Sequence, residues 1–156
     1  MCRVAQPFIA DYVAHASDVV VGRVEDYAIV RDQAFRDRQL AASHLPETLL
    51  ALYRDETRTL GCDHAVLTIR VDEWLLGDLP DGFSARWDNS TFALPTSLSR
   101  EPLLIAVQRR PLGSDTLSEE SRMPIILQRH CAPAFLLPAA SENADKVRDL
   151  VKPRRT

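Results

Sequence analysis

Glycine is scarce in this chain, and the motifs that glycine makes possible are missing with it. Five glycines occur among 156 residues. The sequence contains no glycine-rich phosphate loop, no nucleophile elbow, no dinucleotide-binding fingerprint and no His-Glu-x-x-His zinc motif. No residue can therefore be nominated as catalytic. These absences favour a protein that is not an enzyme.

A surplus of positive charge and a long apolar run are also missing. Lys and Arg together number 19 against 22 for Asp and Glu, which gives a net charge of -3. Domains that neutralise phosphates carry a basic surplus, so nucleic acid is disfavoured as the main partner. The dense basic cluster is the ending KPRRT, with Lys152, Arg154 and Arg155, which we interpret as a solvated tail. No apolar run approaches the ~20 residues of a membrane span.

The start of the chain leaves the compartment open. The segment MCRVAQPFIA lacks the basic beginning and the apolar stretch of a secretory signal. The chain is therefore either cytosolic or a mature segment to which Met1 was added.

Cysteine is sparse, with Cys2, Cys62 and Cys131. An odd count fits one disulfide and a buried thiol, three free thiols, or two metal ligands and a spare. A bond between Cys2 and Cys131 would tie the N-terminus to the end of the last predicted strand. In an oxidising compartment, closing so long a loop would stabilise the fold by about 4 kcal/mol.

Strand-like alternation is what the chain has in abundance. Residues 64 to 79 alternate apolar and polar side chains with a period of two, which predicts a half-buried strand. Gly22, inside the first strand, predicts a bulge. The five predicted strands begin near Asp18, His64 and Phe83 and in the segments LLIAVQRR and PIILQRHC.

Three helical stretches surround these strands. One begins near Pro7 and ends by Ala16, and a second is an insertion over residues 31–62, between strands one and two. The third follows Ser141, which suits a helix N-cap. In the insertion, a small second core is favoured over a docking surface for the apolar residues Leu49, Leu50, Leu52 and Tyr53.

This order of elements predicts a mainly β fold with helices. The expected architecture is a five-stranded Greek-key barrel of the OB type, formed by residues 1–156 as a single domain. We expect the N-terminal and C-terminal helices to seal the two ends of the barrel.

Several short motifs resemble a known family. They are DVVVGRV, TIRVDEWLLGDLP, FSARW, REPLLIAV and the cysteine-containing RHCAPAFLLP. In this order they resemble bacterial relatives of the tissue inhibitor of metalloproteinases, a netrin-like group of OB barrels. The resemblance covers most of residues 2–138, apart from the insertion.

The resemblance implies a function and a site. The family's first cysteine corresponds to Cys2 and its late cysteine to Cys131. The resemblance therefore implies a disulfide between these two residues and partner contacts at Cys2 and Arg3. In the inhibitors, the first cysteine's amine and carbonyl bind the catalytic zinc of a metalloprotease. Here Met1 precedes Cys2 and displaces that amine unless it is removed.

Two alternative chemistries use the cysteines and histidines. A metal site would need Cys62, His64, His130 and Cys131, but neighbours in a strand point to opposite faces, so His130 and Cys131 could not both face one ion without a bulge. A buried Cys62 with surface histidines is favoured. A thiol enzyme would use Cys62 or Cys131 with a neighbouring histidine, and no orienting group is evident.

Nucleic-acid binding is the remaining alternative for an OB barrel. Trp74, Phe83, Trp87 and Arg86 could form a stacking platform, although Phe83 and Trp87 lie on the predicted core face and Trp74 is expected to plug one end of the barrel. We therefore predict a non-enzymatic, extracytoplasmic domain that binds a protein, with no cofactor. A more specific version of this prediction is that the domain inhibits a metalloprotease. The second choice is a cytosolic OB-type module that binds a small ligand or single-stranded nucleic acid. The third choice is a thiol- or metal-dependent enzyme.

Overall fold

A computed structural model describes residues 2–42, 44–88, 94–109 and 122–152. The strands are β1 (Asp18–Val30), β2 (His64–Leu76), β3 (Gly82–Asp88), β4 (Leu103–Gln108), β5 (Ile125–Ile126) and β6 (Leu136–Pro138). The helical segments include a 3₁₀ helix (Ala10–His15) and the α-helices α1 (Gln33–Ala41), α2 (Glu47–Arg54) and α3 (Glu142–Val151). Within these residues, no helix combines the length and apolar character needed to cross a bilayer. The basic tail predicted at Arg154 and Arg155 lies outside them.

Five strands close into a barrel. β1 pairs with β2, β2 with β3, β3 with β5 and β5 with β4, and β4 pairs in turn with β1. The β3–β5 pairing is parallel and the others are antiparallel. β6 pairs with residues 103–105 of β4, on the edge that β4 also offers to β5. The predicted β-barrel with helices is confirmed, and β6 is an additional strand that was not predicted.

Alternate residues of β2 and β3 fill the barrel, as the sequence predicted. Because successive side chains of a strand point to opposite faces, one set faces inward throughout. The inward set consists of Ala65, Leu67, Ile69 and Val71 from β2 and Phe83, Ala85 and Trp87 from β3. Ala85 is fully buried, and the two aromatic rings pack at the margin of the core.

β4 is apolar on both faces because both faces are covered. Leu103, Ile105 and Val107 point into the barrel, whereas Leu104 and Ala106 belong to a second core outside it. The second core lies beneath the 3₁₀ helix, β6 and α3. Its buried members are Val13, Val19, Leu104, Ala106, Leu127, Phe135, Leu137, Ala144 and Val147.

Both terminal helices pack on this one outer face, and the expectation that they seal the two ends of the barrel is wrong. The first is a short 3₁₀ helix that begins at Ala10, later than predicted, and it packs against α3. α3 begins as predicted, because the Ser141 hydroxyl accepts a hydrogen bond from the Ala144 backbone N–H. Ala144 and Val147 are buried, whereas Leu150 is 49% exposed.

β1 bends at Gly22, where the sequence predicted a bulge. The pairing register with β2 shifts between Val21 and Gly22. A Cβ at Gly22 would lie 2.5 Å from the carbonyl oxygen of Arg70, so the strands approach too closely for any other residue. Residues 19–22 of β1 pair with both β2 and β4, Asp18 pairs with β4, and most of the remaining strand pairs with β2.

A buried carboxylate fixes the turn after β2. Asp18 accepts hydrogen bonds from Nε and Nη2 of Arg109 at 2.8 and 2.7 Å, and from the Asp78 backbone N–H at 3.1 Å. Gly77 has φ of +81°, and a Cβ there would lie 2.0 Å from Asp18 Oδ1. The start of β1, the turn after β2 and the end of β4 are thereby locked together.

Leu79, rather than Trp74, enters the barrel at this turn. We expected Trp74 to plug one end, but its side chain is 44% exposed and its indole N–H donates to the Leu79 carbonyl at 2.7 Å. Leu79 is buried in the interior core. The Trp-x-x-Gly-Asp-Leu-Pro stretch that carries much of the family resemblance is therefore a structural turn.

The segment between β1 and β2 is helical, as predicted. α1 and α2 contact each other through Phe35 and Tyr53, whose ring centroids are 6.0 Å apart. No residue of α2 is buried, and Leu49 is 41% exposed. The leucines of α2 therefore do not form the second small core that we expected. The insertion is tied to the barrel instead by a buried ion pair between Arg36 of α1 and Asp63.

Candidate functional site

Cys2 and Cys131 are joined by a disulfide bond, with their Cα atoms 5.6 Å apart. The predicted pairing is confirmed, and Cys62 is the free thiol. The bond spans 129 positions of sequence, so it closes a loop that contains nearly the whole chain. In the chain-entropy account, such a loop contributes about 4 to 5 kcal/mol.

Cys131 lies in a turn and not in a strand. The predicted fifth strand ends at Ile126, and His130 and Cys131 form part of a turn. Cys131 has φ of 61°, in the left-handed region. Strand alternation therefore does not apply to this pair, and the expectation that the two side chains point apart is wrong. Possible ligand atoms of Cys2, His130 and Cys131 all lie within 4.8 Å of one another.

The disulfide fixes one end of an exposed N-terminal ridge, which we define as residues 2–9. Two hydrogen bonds hold the ridge further along. The Gln6 backbone N–H donates to the Cys131 carbonyl at 2.7 Å, and Arg129 Nη2 donates to the Pro7 carbonyl at 2.8 Å. The ridge is thus held on both sides of Ala5, by the disulfide at Cys2 and by backbone hydrogen bonds at Gln6 and Pro7.

The ridge also has an apolar anchor and a free outer side. The ring of Phe8 packs on Phe135, a buried residue of the second core, with 4.8 Å between centroids. In contrast, Val4 is 69% exposed, and Arg3 beside it is exposed as well. An immobilised backbone that carries exposed apolar and basic side chains is suited to contacting another molecule.

The loop that carries Cys131 is itself braced against the barrel. The Trp87 indole N–H donates to Gln128 Oε1 at 3.0 Å, and Gln128 Nε2 donates to the Ala132 carbonyl at 2.8 Å. The Phe135 backbone N–H donates to the Leu127 carbonyl at 2.9 Å. The disulfide therefore attaches the ridge to a firm support.

The other cysteine and histidine candidates lie apart from this corner. His64 is buried, so the expectation that it lies at the surface is wrong, and Cys62 is partly buried rather than fully buried. Neither belongs to a group of metal-binding side chains among the described residues. Burial raises the pKa of the Cys62 thiol, and the Asp63 carboxylate raises it further. Reactive thiols have lowered pKa values, so this environment does not activate Cys62.

The aromatic candidates for nucleic-acid stacking are separated. Phe83 and Trp87 pack against the barrel interior, as predicted. Arg86 lies beside them in sequence, and its Nε is 2.5 Å from Asp88 Oδ1. Trp74 lies five positions along β2 from the residue that pairs with Phe83, which corresponds to about 17 Å. The structure does not bring these residues together as one platform.

An open depression of about 400 Å³ lies beside β1 and β2. Its lining comprises Arg23, Val24, Glu25, Arg70, Asp72 and Arg100. Arg23 faces Arg70 across the strands, and each guanidinium pairs diagonally, Arg23 with Asp72 at 3.4 Å and Arg70 with Glu25 at 3.8 Å. Sequence patterning did not single out this surface, because the crossed pairs depend on the register between the strands.

Comparisons of this chain with protein-family models, with curated proteins and with solved structures gave no match. The resemblance to metalloproteinase inhibitors stays a prediction. The functional proposal accordingly depends on the geometry of the disulfide corner.

Proposed function

We propose that this protein is a non-enzymatic interaction domain that binds another protein through the N-terminal ridge, with Cys2 and Arg3 among the contact residues. The observation that carries the proposal is the anchoring of an exposed segment by the disulfide and by the Gln6–Cys131 hydrogen bond. Binding through a segment that is already ordered avoids the entropic cost of fixing it in the complex.

We further propose that the barrel is of the OB type and belongs to the netrin-like group. The cyclic strand order β1-β2-β3-β5-β4 and the parallel pairing of β3 with β5 support this assignment. The bulged first strand, which pairs on both edges near its start, supports it as well. The 3₁₀ helix, β6 and α3 are then additions on one outer face.

The sharper form of the proposal is inhibition of a zinc metalloprotease. The amine and the carbonyl of Cys2 would be the two donors that complete the open coordination sphere of the protease zinc. In the sequence Met1 precedes Cys2, so this activity requires that Met1 be removed. An extracytoplasmic location is part of the same proposal, because disulfides persist in oxidising compartments, and the Cys2–Cys131 bond supports it.

Two proteins that differ only at the N-terminus test the inhibitor proposal. One begins at Cys2 with a free amine, and the other retains Met1. Both are titrated against a panel of zinc metalloproteases, with a serine protease as the control enzyme. We expect inhibition of at least one metalloprotease by the first protein and at least tenfold weaker inhibition by the second. Equal potency of the two proteins, or no inhibition across the panel, would remove the zinc-chelating form of the proposal.

The proposal that the N-terminal ridge binds a partner protein is tested by locating where the partner contacts this protein. A photo-crosslinking residue is placed at Val4 in one variant and at Leu150 of α3 in another, since both side chains are exposed and they lie on different elements. In extracts of secreted proteins we expect a discrete crosslinked species from the Val4 variant that is absent from the Leu150 variant. If Leu150 crosslinks and Val4 does not, the ridge is not the contact surface.

The rival nucleic-acid function makes an opposite prediction. An OB-type module for single strands would show salt-dependent binding of a single-stranded DNA oligonucleotide that weakens when Trp74 or Arg86 is replaced. We expect no such binding, because Phe83 and Trp87 pack against the core and Arg86 pairs with Asp88.

A further inference from the structure

We infer that the disulfide corner is also a redox-gated metal site. When the Cys2–Cys131 bond is reduced, the two thiols and the imidazole of His130 form a three-ligand set for a thiophilic divalent cation such as zinc. This inference does not depend on the proposed function, since it requires neither a partner protein nor a free amine at Cys2.

The ligand atoms of the corner lie close enough together to reach one zinc ion once the S–S bond is open. Possible ligand atoms of Cys2, His130 and Cys131 lie within 4.8 Å of one another. With Zn–S bonds of about 2.3 Å and Zn–N bonds of about 2.0 Å, a tetrahedral ion holds such atoms roughly 3.5 to 3.8 Å apart. Because the two cysteine Cα atoms are 5.6 Å apart, side-chain rotations suffice to bring the ligands to a common centre.

The backbone explains why two neighbouring residues can serve one ion. Cys131 has φ of 61°, and the turn it occupies places the His130 imidazole on the same side as the sulfurs. His130 is exposed, Cys2 is partly buried and Cys131 is buried. The site would therefore be open on its outer side, where a water molecule can supply the fourth ligand. Two thiolates neutralise the charge of the ion, and a neutral imidazole adds none.

The disulfide and the metal exclude each other. A dithiol reductant transfers two electrons to the Cys2–Cys131 bond and delivers two protons, and it leaves as its own cyclic disulfide. Zinc then binds the two sulfurs and one imidazole nitrogen, and the two thiol protons pass to the solvent. A disulfide oxidant reverses the change: it accepts two electrons, takes up two protons from the solvent and leaves as a dithiol, while both Zn–S bonds break, the S–S bond forms and the ion is released.

The N-terminal ridge keeps the Cys2 thiol near its partners after reduction. The Gln6–Cys131 and Arg129–Pro7 hydrogen bonds and the Phe8–Phe135 contact do not involve the sulfur atoms. The Cys2 thiol consequently remains at high local concentration around the site, which favours chelation over loss of the segment to solvent.

Metal titration of the oxidised and the reduced protein tests the inference. After reduction and anaerobic removal of the reductant, Zn²⁺ is titrated in competition with a chromophoric chelator, and Co²⁺ alone is used for spectroscopy. We expect the reduced protein to bind one ion and to show the sulfur-to-cobalt charge-transfer band of thiolate ligation. The oxidised protein should show neither. Circular dichroism of the reduced protein, with and without Zn²⁺, verifies that it is folded.

Three variants assign the ligands. His130→Gln, at an exposed position, should weaken Zn²⁺ binding by more than about tenfold. Cys2→Ser should abolish the charge-transfer signature of a two-thiolate site. Cys62→Ser is the matched control and should bind as the wild type does. Binding that is lost in Cys62→Ser, binding that is unchanged in His130→Gln, or no binding by the folded, reduced wild type would each overturn the inference.

Discussion

Arg36 and Asp63 face each other through two parallel hydrogen bonds inside the protein. Nη1 of Arg36 lies 2.6 Å from Asp63 Oδ1, and Nη2 lies 2.5 Å from Oδ2. Neither residue is more than 2% exposed. Asp63 also accepts hydrogen bonds from the backbone N–H groups of Leu60 and Asp32. The helical insertion is therefore coupled to the start of β2 by a pair whose charges have little access to water.

Asp63→Asn should destabilise the protein severely. It leaves the Arg36 guanidinium buried beside a neutral group, and breaking a buried pair in this way costs about 3 to 5 kcal/mol. Chemical denaturation measures the loss. The matched control is Asp72→Asn, which removes an exposed pair with Arg23 and should change the free energy of unfolding by less than about 1 kcal/mol. Equal effects of the two substitutions would show that the buried pair has no special role.

The same pair predicts a dependence of stability on pH. Burial alone would raise the pKa of Asp63, but the hydrogen bonds from Arg36 and the two backbone amides outweigh it and lower the pKa from 3.8 to about 2. The folded protein thus binds fewer protons than the unfolded chain in this range. The contribution of Asp63 to the free energy of unfolding, on the order of 2 kcal/mol, is complete above about pH 5 and is lost as the pH falls toward 2.

Unfolding curves recorded from pH 7 to pH 2 check this expectation. The stability difference between wild type and Asp63→Asn should be constant above about pH 5 and should shrink below about pH 4. A difference that stays constant down to pH 2, or that grows on acidification, would contradict the assigned direction of the pKa shift.

Two glycines near the turn after β2 should respond differently to substitution. Gly77→Ala forces an L-residue into φ of +81° and places a Cβ 2.0 Å from Asp18 Oδ1. We expect a loss of more than about 2 kcal/mol, because left-handed backbone alone costs about 1 to 2 kcal/mol. Gly82→Ala is the control, since its nearest neighbour, the Ile69 carbonyl oxygen, is 3.9 Å away. Thermal unfolding of both variants makes the comparison. A smaller loss of stability for Gly77→Ala than for Gly82→Ala would show that the Asp18 contacts do not fix the turn after β2.

Removal of the disulfide should loosen the ridge and leave the barrel folded. The double variant Cys2→Ser/Cys131→Ser should lose about 2 to 5 kcal/mol of stability, and limited proteolysis should cleave it first within residues 2–5, because the contacts of Gln6, Pro7 and Phe8 do not involve the sulfurs. Cys62→Ser, as control, should resist cleavage there. Resistance of the double variant equal to that of wild type would show that the bond does not fix the ridge.

Much of the barrel could be predicted because its signals are local. Alternation in β2 places Leu67 and Ile69 inside without any knowledge of the other strands. Gly22 marks a bulge for the same reason. The two-layer packing around β4 is different, since the burial of the outward-facing Leu104 depends on helices from both ends of the chain.

The candidate site was only partly predictable. The pairing of Cys2 with Cys131 could be proposed from the resemblance, whereas the placement of His130 required the φ of Cys131, which no sequence pattern specifies for a non-glycine residue. The link between Arg36 and Asp63 joins positions separated by 27 residues, and each alone is an ordinary charged residue next to a helix or strand. Long-range pairs of this kind leave no periodic signal.

Mass-spectrometric peptide mapping, with a free-thiol count on native protein produced under oxidising conditions, shows whether Cys2 attaches the ridge to the barrel. We expect one alkylated cysteine, at Cys62, and a linked peptide pair that contains Cys2 and Cys131. Three alkylated cysteines, or a linkage that includes Cys62, would contradict an N-terminal ridge fixed to the barrel by its first cysteine.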